Sequence, residues 1–189
     1  MVIKSESVRK LTLASVFTAL GVIIAPLLWF PFLTTKAFPG QHMINAITGV
    51  LLGPFWAATV AFFIGIIRNF FGTGTVYAFP GGIPGGMVVG VFYWLFKKIL
   101  KSEKEALISA LFEPLGTVLI GATLSLFIFA PFIGDVRLLS QLEKGHLIAL
   151  FMLWGGWTLS SISGSIFGFF ILLILDRMNI NREKLFGKR

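Results

Sequence analysis

Leu147–Leu175 reads LIALFMLWGGWTLSSISGSIFGFFILLIL, 29 residues without one charged side chain, closed by Asp176 and Arg177. A hydrocarbon core ~30 Å thick is crossed by ~20 apolar residues wound as a helix, so this run predicts a membrane span from about Gly145 to Arg177. Composition extends the reading to the whole chain. Of 189 residues 56% are hydrophobic and 13% charged, with a mean hydropathy of +0.90, where a soluble domain carries about 25% charged residues. Such a chain cannot coat a soluble surface. The expectation is an all-α integral membrane protein, one domain over residues 1–189, with room for roughly five to seven spans.

Uncharged runs upstream set the other spans. A first helix is expected from about Val8 to Trp29, ended by Pro26 and Pro31, because proline removes a helix donor and clashes with the preceding turn. It follows Lys4, Arg9 and Lys10 as a signal peptide would. Without a small-x-small cleavage site, it reads as a retained helix. The run from His42 to Phe71 is split by Gly53-Pro54, a turn signal. Its first part, residues 42–52, would be only ~16 Å long. So short a helix has to sit partly in the protein interior, beside irregular chain that lines a cavity. Helix four is expected from Pro84 to Leu100 and helix five from Lys104 to Pro131.

With six spans and the N-terminus inside, Lys4, Arg9, Lys10, Lys97, Lys98, Lys101, Lys104, Arg177, Arg182, Lys184, Lys188 and Arg189 are cytoplasmic. Lys36, Arg68, Arg137 and Lys144 are external, a split of 12 to 4. The positive-inside rule then puts both termini in the cytoplasm of a multi-pass cell-membrane protein. The net charge of +8 therefore belongs to span ends rather than to a nucleic-acid-binding face. The chain has no cysteine, which excludes disulfides, thiolate nucleophiles and cysteine-ligated metals.

Polar residues inside spans are costly and point to function by default. Gln41, His42 and Asn45 open helix two, with Gln41 and Asn45 on one face. They either offer bonds to a polar ligand or cap backbone freed by Pro39-Gly40. Arg68 and Asn69 end helix three, ahead of Gly72-Thr-Gly-Thr75 and Tyr77. Arg68 either reaches the outer headgroups or, with Lys36, makes an anion-attracting mouth. The glycine-threonine stretch lacks the Gly-Lys-Ser/Thr ending of a phosphate loop, so energy from ATP has to come from another chain. Ala37-Phe-Pro-Gly40 recurs as Ala78-Phe-Pro-Gly81, read as turn chemistry or as two similar re-entrant loops capping one cavity. Trp154, Trp157 and Ser161 share a face of the last helix that suits a flat ring, unless the tryptophans are belt anchors. The serines and glycines around them form a small-residue seam for helix packing. Glu113 is the one acid well inside a span, on the expected cytoplasmic half. It is either a proton relay or cation partner, or it marks a kink at Pro114 whose loosened backbone is locally solvated near the inner interface. His42 and His146 are a poor metal set, and no cofactor site is legible.

The stretches Lys36-Ala-Phe-Pro-Gly-Gln-His-Met43, Gly49-Val-Leu-Leu-Gly-Pro54 and Arg68-Asn69 through Gly72-Thr-Gly-Thr-Val-Tyr-Ala-Phe-Pro-Gly81 carry a family likeness. On them the chain resembles the substrate-binding (S) components of energy-coupling factor transporters, most closely the ThiW family of thiamine-precursor transporters. The resemblance implies a six-helix bundle that captures a vitamin precursor from outside and topples against a transmembrane coupling subunit carrying two ATPase subunits. Ser15 and Ala19 match the family's Ala-xxx-Ala coupling surface on helix one, with Ser in place of the first Ala. The implied substrate is the thiazole moiety of thiamine, hydroxyethylthiazole. For it we expect stacking by Trp154 or Trp157, hydrogen bonds from Gln41, His42 and Asn45, and a lid after helix three. Two other classes remain open: a proton- or sodium-coupled secondary transporter using Glu113, and an intramembrane enzyme, for which no acid/base pair is legible.

Overall fold

A computed structural model describes residues 5–32 and 35–187. Lys4, Lys188 and Arg189 of the charge count lie outside the described residues, as does the side chain of Lys36. The helices are α1 (Ser5–Leu27), α2 (Pro39–Leu52), α3 (Pro54–Phe70), α4 (Ala78–Leu100), α5 (Glu103–Ile133), α6 (Val136–Glu143), α7 (His146–Arg177) and α8 (Arg182–Phe186). Four of them, α1, α4, α5 and α7, are long and apolar enough to cross a membrane. Their outward side chains include many large apolar ones, Ile23, Phe132, Leu147 and Phe167 among them. A surface of this kind is stable against lipid and not against water.

The 14-residue α2 is the axis of the bundle: every residue of it but His42 is buried. At about 21 Å it is shorter than a bilayer core, and its neighbours α1, α3, α4, α5 and α7 supply the surroundings that lipid does not. Its bounds follow from its sequence. Pro39 sits in the first turn, where a missing N–H costs nothing, and Gly53 ends the helix at φ 94°, a left-handed conformation that glycine adopts readily. Pro54 then opens α3 in the same way. The seam on α7 does pack helices: Ser160, Ser161, Gly164, Ser165, Gly168 and Leu172 form its buried stripe, with Gly164 against Pro39 and His42 and Gly168 against Ala46 of α2.

Several local expectations are revised. Helix four begins at Ala78 rather than Pro84, so Pro84 lies inside α4. Helix two begins at Pro39, three residues before the expected start. After α1 the chain forms a small antiparallel ribbon, with Phe30 opposite Ala37 and Pro31 opposite Lys36. The loop before α7 holds the amphipathic α6, capped by Asp135, whose carboxylate accepts from the Arg137 and Leu138 amides at 3.0 and 3.3 Å. Helix α5 is irregular. Leu107–Phe112 is wound tightly as a 3-10 helix, whereas Leu115–Ala122 and Ser125–Phe129 are wound widely as π-helix. The change of winding falls at Glu113-Pro114, where proline withholds a backbone donor. Widened turns of this kind recur at functional sites.

One end of the bundle gathers both chain ends. Arg9 Nη1 donates to the Leu185 carbonyl at 3.3 Å, and Arg182 Nη1 to the Val50 carbonyl at 3.3 Å. The Glu183 amide donates to Glu103 at 3.2 Å, and Lys97 pairs with the same carboxylate. The basic span ends therefore lie together, away from the cavity described next.

Candidate functional site

At the other end a cavity of about 600 Å³ lies between α2, α3, α4 and α7. Its polar wall is Gln41, His42, Arg68 and Ser160, its aromatic wall Phe38 and Trp157, and Thr73, Thr75 and Tyr77 stand at its rim. Both copies of the Ala-Phe-Pro-Gly repeat contribute, through Phe38 from the first and Ala78 and Gly81 from the second. Neither copy is a re-entrant loop: Pro39 and Gly40 begin α2, and the whole second copy is the first turn of α4. Gly81 has a steric role. A Cβ there would come within 2.9 Å of the Trp157 ring, so any larger residue would push the indole from its place against α4.

Below His42 sits Glu113, fully buried. Its Oε1 receives His42 Nδ1 at 3.0 Å, Asn45 Nδ2 at 3.0 Å and the Thr117 hydroxyl at 2.6 Å, and its Oε2 receives the Ser161 hydroxyl. Donors from α2, α5 and α7 thus converge on one carboxylate. Gly85 of α4 closes the fourth side, where a Cβ would stand 3.1 Å from the Glu113 carboxyl carbon. Of the two expectations for Glu113, local solvation at the Pro114 kink does not hold, because the residue is wholly enclosed by these partners. With Nδ1 committed to Glu113, the Nε2 edge of His42 is the one left for the cavity.

The named candidates separate into groups. Gln41, His42, Arg68, Tyr77 and Trp157 line the cavity. Asn45 and Ser161 stand behind it as donors to Glu113. Asn69 fastens the loop after α3, its Nδ2 donating to the Gly65 and Thr75 carbonyls at 2.7 and 3.0 Å. Trp154 is not in the cavity lining: its indole N–H donates to Thr123 on α5 at 3.1 Å and its ring meets Phe151 edge-on. Ser160, which the sequence reading passed over in favour of Ser161, lines the cavity and accepts the Phe38 amide at 2.8 Å. Ser15 and Ala19 are exposed together on the outer face of α1, with the Ser15 hydroxyl returned to the Leu11 carbonyl at 3.0 Å. Among the described residues no group of three or more His, Cys, Asp or Glu could hold a metal.

The loop from Gly72 to Tyr77 roofs the cavity and is clasped to the α5–α6 turn, where the Tyr77 hydroxyl donates to Asp135 Oδ2 at 2.6 Å. That bond is the main reason the Asp135 carboxyl is held below the ordinary value of 3.8, with the Leu138 and Arg137 amides adding to it. Burial first, and the neighbouring carboxylate second, push the Tyr77 phenol up, so it stays a donor. A depressed carboxyl stabilises the fold above its ordinary pKa, and that contribution fades only as pH falls through the still lower native value. The clasp is therefore expected to hold unchanged from roughly pH 5 to 9. Tyr77→Phe is expected to raise the Asp135 pKa toward its ordinary value and speed hydrogen exchange across residues 72–77. Carboxyl NMR and exchange mass spectrometry read the two effects, and an unmoved Asp135 would sink the assignment.

An apolar-coated helical bundle whose buried polar side chains converge on one cavity defines a membrane protein built to bind a small molecule. The chain belongs to the ThiW family, thiamine-precursor transporter proteins, whose family model matches residues 11–178. No curated protein and no solved structure matches the chain. Membership of this family makes the protein a transporter with a small-molecule substrate.

Proposed function

We propose that this chain is the substrate-capture subunit of an energy-coupling-factor-type importer and that its ligand is the thiazole precursor of thiamine, hydroxyethylthiazole. The observation that carries the proposal is the pairing, in one cavity, of the Trp157 face with the polar atoms of Gln41, His42 and Ser160. A thiazole is a flat ring that stacks on an indole, and its ring nitrogen and terminal hydroxyl call for a donor and an acceptor. His42 Nε2 and the Gln41 amide supply both. The absence of a phosphate loop in the sequence supports an energy source on separate ATPase subunits. In this reading the exposed Ser15 and Ala19 on α1 meet the transmembrane coupling subunit.

The same reading places six passages in the cell membrane, with both termini and the basic end in the cytoplasm and the cavity facing out. The 12 to 4 distribution of basic residues in the sequence supports it, as does the contact of Arg9 with Leu185. A second reading, a proton-coupled transporter working alone, draws on the buried His42–Glu113 pair. Uptake in vesicles with and without the coupling and ATPase subunits separates the two. Tryptophan-fluorescence titration with hydroxyethylthiazole, thiamine and the hydroxymethylpyrimidine precursor tests the substrate. Saturable quenching by the thiazole is expected, and binding of the pyrimidine alone would overturn the assignment.

A further inference from the structure

Arg68 is 2% exposed yet lines the cavity. Only neutral oxygens hold it: Nη1 donates to Gln41 Oε1, and Nη2 donates to the Thr73 carbonyl at 2.7 Å. Its guanidinium lies 4.9 Å from the centre of the Phe38 ring. Among the described residues no carboxylate pairs with it, and its Nε–H is buried without any partner. A buried cation is ordinarily paired, because burying a charge without a counter-charge forfeits its hydration with nothing in return. Here the geometry is fixed by Gln41 and Thr73 while the charge is left unmatched. Nε and the second hydrogens of both terminal nitrogens remain for an acceptor, in the fork arrangement that suits an oxyanion.

The surroundings favour the same chemistry. Thr73 and Thr75 stand with Arg68 in the lining, the Thr73 hydroxyl donating to the Arg68 carbonyl at 3.3 Å, and Arg137 reaches the same rim while paired at 3.6 Å with Asp135, which Tyr77 also engages. The acid at the base of the cavity, Glu113, is occupied by four donors and sits behind His42. A volume of about 600 Å³ also falls in the range for ligands larger than one five-membered ring with a short tail.

From this we infer that the outer half of the cavity is an anion subsite, in which Arg68 receives a phosphate or carboxylate carried by the ligand while the ring lies on Trp157. The ligand class is an acidic derivative of the precursor ring, such as a phosphate ester of its alcohol, bound in preference to the neutral alcohol. The inference rests on the proposal that this cavity is the substrate site.

The test is a set of binding isotherms on the full chain in lipid nanodiscs. The ligands are hydroxyethylthiazole, its phosphate ester, a carboxylate analogue of the same length, the phosphate ester of hydroxymethylpyrimidine, and inorganic phosphate. We expect the thiazole ester or the carboxylate to bind at least about tenfold tighter than the alcohol, the better of them marking the natural oxyanion. The ratio is expected to fall to about one in Arg68→Gln and to recover in part in Arg68→Lys, which keeps the charge without the fork. The wild-type ratio stands as a test even if Arg68→Gln fails to fold. Alcohol binding as tight as the anions would overturn the subsite and leave the thiazole reading intact. Binding of the pyrimidine ester alone would retain the subsite and overturn the thiazole. Binding of inorganic phosphate alone, or of no ligand at all, would overturn both.

Discussion

Glu113→Ala is expected to be the most damaging single substitution in the protein, lowering stability by about 3–5 kcal/mol and abolishing ligand binding. The side chain is fully buried, and removing it strands donors from His42, Asn45 and Ser161 on two helices, while the Thr117 hydroxyl keeps the Gly81 carbonyl at 3.1 Å. Each buried donor left unmade costs on the order of 1–3 kcal/mol, with partial relief from water entering the gap. Glu113→Gln keeps the shape but turns one oxygen into a donor; with that nitrogen toward Ser161 the hydroxyl has to accept instead of donate, and its own hydrogen loses the carboxylate. It is expected to lie between wild type and alanine. Thermal unfolding in detergent reads the stability, and a wild-type midpoint for Glu113→Ala would remove the carboxylate from its place at the centre of the fold. Because Glu113 also commits His42 Nδ1, Glu113→Gln is expected to weaken ligand binding even where the protein remains folded.

Trp157→Ala is expected to weaken binding of the ring ligand by roughly 2 kcal/mol, about thirtyfold, whereas Trp154→Ala leaves affinity within about twofold. The two indoles differ by three residues on α7, yet only Trp157 lines the cavity, lying against Gly81 of α4. Trp154 is held on α5 by Thr123, outside the cavity. A converse experiment gives the same answer from the opposite wall. A side chain larger than hydrogen at Gly81 has to displace the indole, so Gly81→Ala is expected to reproduce much of the Trp157→Ala loss without touching the ligand. Equal losses from Trp154→Ala and Trp157→Ala in the same isotherms would show that the ring does not stack on Trp157.

These two cases mark where the sequence was legible and where it was not. Helix α7 could be read directly, because 29 uncharged residues in one run admit few structures. The short α2 could be read as well apart from its first turn, since Gly53-Pro54 closes it by local backbone chemistry and its length alone argued for burial. The likeness to a thiamine-precursor transporter family was visible in the stretches around Gln41 and Arg68. The choice between Trp154 and Trp157 was not, because it is made by the missing Cβ of Gly81, far away in sequence. Glu113 drew notice as a lone acid in a span, but its partner His42 lies 71 residues away and on another helix. Nothing local distinguishes a paired carboxylate from a solvated one. The close approach of α5 to α4, where Gly116 and Gly121 abut the Pro84 and Pro80 carbonyls, likewise joins glycines and prolines far apart in sequence.

The chain contains no cysteine, so a single one can report on the cavity. Thr75 is exposed at the cavity rim, and Thr75→Cys would be labelled in intact cells with a membrane-impermeant maleimide, with and without hydroxyethylthiazole or its phosphate ester. The account predicts labelling from outside that slows severalfold when ligand is present. Labelling only after the membrane is permeabilised, or labelling that no thiazole ligand slows, would contradict an outward-facing substrate cavity.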